Sequence, residues 1–133
     1  MEASSFRGPD GQQFTWYKEK MAWKVARAFC ASTGGRLAVL DNQVLNDLVY
    51  GKFPTTRFWL GACDEQHEGS WQWINGKNIR DEKYHNWRKG QPNGGTKENC
   101  LLLIDGDWID VPCQGGRWPL CEQSMKRVCT IMN

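Results

Sequence analysis

Residues 100–122 read CLLLIDGDWIDVPCQGGRWPLCE. Three short apolar and aromatic runs, Cys100 to Ile104, Trp108 to Val111 and Trp118 to Glu122, are divided by Asp105-Gly106 and Gly115-Gly116. Such dipeptides adopt the backbone conformations that tight turns demand, so the stretch predicts short antiparallel strands. Upstream, Phe58 to Cys63 and Trp71 to Ile74 carry the same signature, with Asn75-Gly76 as a further turn. Ahead of Phe58 the pattern changes. From Met21 to Ala31, the residues Ala22, Val25, Ala26, Phe29 and Cys30 recur at helical spacing, and Gly34-Gly35 end the helix. Arg36 to Leu40 reads as a short strand. A second helix is predicted from an N-cap at Asp41 to Gly51, burying Val44, Leu45, Leu48 and Val49. Helices first and short strands afterwards make an α+β fold.

Between Asn78 and Asn99 the periodicity is weak and polar groups are many. A loop of about twenty residues inside a compact domain is more often functional than accidental. No internal repeat or low-complexity linker interrupts the chain, and 133 residues suit one domain over 1–133. Its eight Trp point to a core of large aromatic plates, with Trp59, Trp71, Trp73, Trp87 and Trp108 expected inside.

Seventeen Lys and Arg oppose 15 Asp and Glu, and no basic run occurs. Long-range attraction to a phosphate backbone has no evident source, so nucleic acid is not an expected partner. No stretch is apolar enough to span a bilayer, so membrane insertion is not expected. Met1 to Gly8 lack the apolar segment of a signal peptide. Six cysteines, at 30, 63, 100, 113, 121 and 129, show no C-x-x-C spacing, and His67 and His85 form no H-E-x-x-H pattern. Disulfides are therefore favoured over a metal site, which implies an oxidising, extracellular setting and an export signal already removed. Six cysteines allow 15 connectivities on arithmetic alone.

At this point the residues resemble the C-type lectin family. Ala28-Phe29-Cys30 followed by Gly34-Gly35-Arg36-Leu37-Ala38 is similar to that family's first helix and turn. Trp59-Leu60-Gly61-Ala62 resembles its W-I-G-L core strand. Gln91-Pro92-Asn93 sits where the family carries its sugar-selecting E-P-N or Q-P-D triplet. Glu98-Asn99-Cys100 resembles the E-x-C that follows, Trp108-Ile109-Asp110 the W-N-D triplet, and Trp118 to Glu122 the closing strand. The ordered set runs from about Phe14 to Glu122. It implies a C-type-lectin-like fold, with two helices flanking short antiparallel sheets and a long ligand-binding loop region. The short form is implied, without an extra N-terminal cysteine pair.

The resemblance also implies Cys30–Cys121 and Cys100–Cys113 disulfides, each stabilising by roughly 3–5 kcal/mol on the chain-entropy model. Cys63 and Cys129 fall outside the usual pairs and are expected to bond to each other, with a bond from one of them to another chain as the alternative. A cis peptide before Pro92 is implied too.

In lectins of this family, a primary calcium ion and two sugar hydroxyls share one set of oxygen-bearing side chains. Carried over position by position, that carbohydrate-binding and metal set is Gln91, Asn93, Glu98 and Asp110, and the fifth position, an Asn in the family, is Ile109. Ile109 offers no oxygen and Gln91 no charge, so calcium binding is expected to be weakened. A secondary calcium position would use Asp64 and Glu68, with Glu98 shared, but its remaining acidic positions are Gly94 and Asn99. With amides on both sides of Pro92, the carboxylate–amide asymmetry that separates mannose-type from galactose-type hydroxyls is blurred. Asp105-Gly106-Asp107 hints at an EF-hand loop, yet its required Gly and Glu would fall on Asp110 and Gly116.

The function expected is a carbohydrate-binding lectin domain, calcium-assisted through a degraded primary site, with a glycan or glycoprotein as partner and a homo-oligomer as a possible assembly. The alternative is a calcium-independent module recognising a protein or other non-sugar surface. An enzyme is not expected: a hydrolase pairing Glu68 with Asp110 has only the presence of carboxylates behind it.

Overall fold

The computed structural model describes residues 2–124, and among these lie two α-helices and eight strands. Cys129, and with it the expected Cys63–Cys129 bond, lies outside the described residues.

Helix α1 spans Trp23–Ser32 and buries Trp23, Ala26 and Cys30. It starts two residues later than expected because Met21 is held in extended pairing: its N–H donates to Arg117 O (3.0 Å) and its carbonyl accepts from Arg117 N–H (3.1 Å). The spacing of Trp23, Ala26 and Cys30 places the apolar stripe one residue round from the expected one, so Val25 is 56% exposed. Gly34, at φ 85°, turns the chain out of the helix. Helix α2 spans Gln43–Lys52, and its cap is Asn42 rather than Asp41. Asn42 stands three residues before Leu45 and accepts from its N–H at 2.9 Å, a reach that Asp41 lacks. Leu45 and Val49 face the core as expected, but Val44 is 63% exposed and its expected place is taken by buried Asn46.

The strands are β1 (Ala3–Arg7), β2 (Gln13–Tyr17), β3 (Arg36–Leu37), β4 (Phe58–Cys63), β5 (Gln72–Trp73), β6 (Cys100–Ile104), β7 (Asp107–Val111) and β8 (Trp118–Gln123). They join in the order β1-β2-β8-β4-β6-β7, with β3 on β8 and β5 on β4. Pairing is antiparallel throughout except between β4 and β8, which run parallel, so the expectation of purely antiparallel sheets is corrected there. The β1–β2 hairpin was not expected. Its only large apolar residue in β1 is Phe6, which stacks on Phe14 at 5.3 Å.

Side chains alternate across β4 and β6. Phe58, Leu60, Ala62, Leu101 and Leu103 face one cluster with α2, while Trp59, Cys100 and Leu102 face the other with α1. Both faces of the sheet are therefore covered, which is why Cys100–Ile104 is buried at every position. Cys30–Cys121 fastens α1 to β8, and Cys100–Cys113 fastens β6 to the segment beyond β7. Trp59, Trp71, Trp73 and Trp108 are buried; Trp87 is only half-buried, edge-on to Trp71 at 5.1 Å. Asn46 holds α2 to the far end of the β6–β7 hairpin, donating to Gly106 O (2.9 Å) and accepting from Trp108 Nε1 (3.2 Å).

Candidate ligand-binding site

The end of β7 and the segment 91–98 come together through one side chain. Asp110 is buried, and its carboxylate accepts from Asn93 N–H (3.1 Å to each oxygen) and Gly94 N–H (2.8 Å). In return, Asp110 N–H donates to Gln91 Oε1 at 3.3 Å. The Gln91–Pro92 peptide is cis, and Gln91 and Asn93 bond to the same residue from either side of Pro92. A short 3₁₀ turn, Gly95–Lys97, then carries the chain to Glu98. Glu98 packs its side chain so closely on Gly94 that a Cβ there would overlap it. Gln91, Asn93, Glu98 and Asp110 thus lie on one loop and the strand end beneath it. Ile109 does not join them: it packs, half-buried, against the α1-side core cluster.

Asp64 and Glu68 lie at the border of the same region. Asp64 follows β4 and is buried; its N–H donates to Asn99 O (3.1 Å), and its Oδ2 accepts from Gly69 N–H (2.8 Å). Its other oxygen, Oδ1, is buried with no hydrogen-bond partner among the described residues, and so is Asn99 Oδ1. Burial pushes the Asp64 carboxyl above the usual range, against hydrogen bonds that lower it, and Asp110 adds a repulsive charge. Desolvation and the charge of Asp64 likewise push Glu68 up, with Asp110 contributing again. Asp64 and Glu68 therefore interact with each other, and both feel the charge of Asp110.

These observations test the fit of a calcium ion, which wants about six to eight oxygens. The primary position fits poorly. Asp110 has both oxygens engaged by backbone N–H groups, Gln91 Oε1 is engaged as well, and Ile109 supplies nothing. The secondary position fits better than the acidic count alone suggested. Two buried acceptors without donors among the described residues, Asp64 Oδ1 and Asn99 Oδ1, stand on neighbouring chain segments, although Asp64, Glu68 and Glu98 do not gather into one three-carboxylate cluster. Reading Asn99 as a lost acid missed that its amide oxygen is left free to ligate. Nothing in the sequence marks that, because the donor it lacks is a tertiary matter.

Comparison with known proteins gives the same outline. The family model for the lectin C-type domain matches residues 19–123. A hepatic lectin of Gallus gallus is 30% identical over 120 residues, covering 89% of this chain and 58% of the relative. The chain thus spans somewhat over half the length of that relative. Among solved structures, the mouse scavenger receptor C-type lectin carbohydrate-recognition domain superposes with a TM-score of 0.82 at 24% identity, covering 92% of this chain and 96% of that one. A calcium-independent type II antifreeze protein superposes with a TM-score of 0.79 at 23% identity, covering 93% and 94%. At those identities the two structures speak for the fold alone. The family match covers most of the chain and includes both the α1 turn and the strand that carries Asp110, so this protein belongs to the C-type lectin family.

Proposed function

We propose that this chain is an extracellular carbohydrate-binding lectin domain that takes a glycan on the 91–98 loop, with calcium in a supporting role at the Asp64–Asn99 corner. The observation that carries the reading is the set of hydrogen bonds by which Asp110 holds Gln91, Asn93 and Gly94. They order the loop before any ligand arrives, so less conformational entropy is lost on binding. Asn93 is exposed, and its amide offers both donors and an acceptor to sugar hydroxyls; Glu98 offers acceptors beside it. Asp64, Glu68, Asn99 and Glu98 are the residues that would hold calcium. The ion would supply positive charge beside Glu98 and stiffen the loop from below. Binding rather than catalysis is the activity, in keeping with the lectin relatives.

A glycan array probed with about 5 mM calcium and again with chelator tests this. Glycan binding is expected in both conditions and stronger with calcium, while Asp110→Ala weakens it at least about tenfold, because two backbone N–H groups lose their acceptor and the loop loosens. Absence of any glycan signal in either condition sinks the reading.

A second reading draws on Ile109 and on the engagement of Asp110 without an ion. In that reading the same loop recognises a protein or other non-sugar surface independently of calcium. The superposable antifreeze protein is calcium-independent, so the fold does not require the ion. Strict chelator sensitivity of ligand binding would exclude it.

A further inference from the structure

Lys20, Arg57 and Arg117 are far apart in the chain, and no basic run links them. The fold gathers them around one cleft of about 500 Å³, whose walls also include Thr55, Thr56 and Trp118. Backbone pairing causes the convergence. The hydrogen bonds between Met21 and Arg117 set Lys20 beside Gly116, and the parallel register of Phe58 with Trp118 brings Arg57 to the same edge. No carboxylate among the described residues lines the cleft. Among the described residues none of these three cations forms an ion pair, whereas Lys18, Arg36 and Arg88 all do. Arg117 Nε is buried and has no hydrogen-bond partner among the described residues. Residues 125–133 contain no Asp or Glu to supply the missing charge. Three positive groups held together without a counter-charge repel one another, and a bound anion offsets that repulsion.

The cleft is remote from the 91–98 loop. It adjoins Phe58 at the start of β4, while the opposite end, Cys63, pairs with Cys100 next to Glu98. Five residue steps of strand separate those ends, roughly 16 Å.

We propose that this cleft is a second binding site that takes a sulfate ester on an acidic saccharide. Guanidinium forks match the oxygens of an oxyanion and stay charged at any physiological pH, and Lys20 adds a point charge. The threonine hydroxyls suit the polar groups around such an ester. A nucleic acid would need cations following successive phosphates along a face; here they converge on one pocket in a chain of net charge +2. Only the choice of a saccharide as carrier rests on the lectin reading.

The test is isothermal titration with a heparin-derived tetrasaccharide, its desulfated counterpart and a single-stranded DNA 12-mer. The sulfated sugar is expected to bind at least about tenfold more tightly than the other two, and less tightly as salt rises from about 0.05 to 0.15 M. The Arg57→Gln, Arg117→Gln double variant is expected to lose at least about tenfold with its Tm preserved. If that variant fails to fold, the exposed Arg57→Gln alone carries the test, with an expected loss of about threefold. Asp110→Ala is expected to bind the sulfated sugar as the parent does, whatever it does to neutral glycans, which separates this site from the loop. Equal binding of the two tetrasaccharides, equal binding of the DNA, unchanged affinity in a folded cleft variant, or loss of sulfated-sugar binding in Asp110→Ala would each overturn the proposal.

Discussion

Ile109 shows how one side chain can redirect a site. In β7 it pairs across from Leu102 and packs against the core on the α1 side, so its position contributes stability instead of an oxygen. Ile109→Asn is expected to tighten calcium binding by about tenfold, read by titration calorimetry. It should also cost about 1 kcal/mol of stability, since apolar contact is exchanged for an amide. An unchanged calcium affinity would mean that the missing oxygen is not what limits the metal. Tyr84 presents a different case. Its hydroxyl is buried without a partner among the described residues, and its ring meets Trp108 edge-on at 5.6 Å. Burial first, then the charges of Asp47 and Asp107, push its pKa up to about 12. The folded state therefore resists ionisation more than the unfolded one. The stability contributed by the neutral phenol is complete below pH about 10 and is lost as pH rises through about 12. Tyr84→Phe is expected to leave Tm nearly unchanged at pH 7 and to flatten the fall in Tm across that alkaline window. A loss of several degrees at neutral pH would show that the hydroxyl has a partner after all.

At the scale of elements, helix α2 carries the clearest local signal and a clear displacement. Leu45 and Val49 were legible from helical spacing, yet the cap moved from Asp41 to Asn42, because capping depends on which side chain reaches Leu45 N–H. Asn42→Ala is expected to destabilise the fold by about 1 kcal/mol in urea titration, while Asp41→Ala changes it by much less. Equal effects would refute the assignment. The exposed Val44 and the buried Asn46 could not be read from hydrophobic spacing. Asn46 goes inside because Gly106 O and Trp108 Nε1 are there to bond it, and both belong to a hairpin some sixty positions away in sequence. The β1–β2 hairpin was illegible for the opposite reason: with Phe6 as the one large apolar residue of β1, alternation has almost nothing to register. In the candidate site, Gln91, Asn93, Glu98 and Asp110 were legible through resemblance to a family pattern. The engagement of Asp110 by backbone N–H groups, and the unmatched oxygens of Asp64 and Asn99, were not.

For the molecule as a whole, the two disulfides divide the work unequally. Cys30–Cys121 closes a separation of 91 residues and Cys100–Cys113 one of 13. On the chain-entropy model the first stabilises by about 4–5 kcal/mol and the second by about 3. Replacing Cys30 and Cys121 by Ala is expected to lower the urea midpoint more than replacing Cys100 and Cys113. The reverse order would indicate that the shorter bridge supports the loop region rather than only the unfolded-state entropy. The amino-acid sequence alone determined where both helices and strands β3 to β8 lie to within a few residues, because apolar periodicity, Gly-containing turns and caps act over a few residues. It also determined the family, through motifs kept in order. Only the tertiary structure decided the parallel pairing of β4 with β8, the closing of Asp110 onto residues 91–94, and the meeting of Lys20, Arg57 and Arg117 at one cleft. Each of those depends on segments distant in the chain being packed against a common sheet, and no local pattern of residues encodes which distant groups will face each other there.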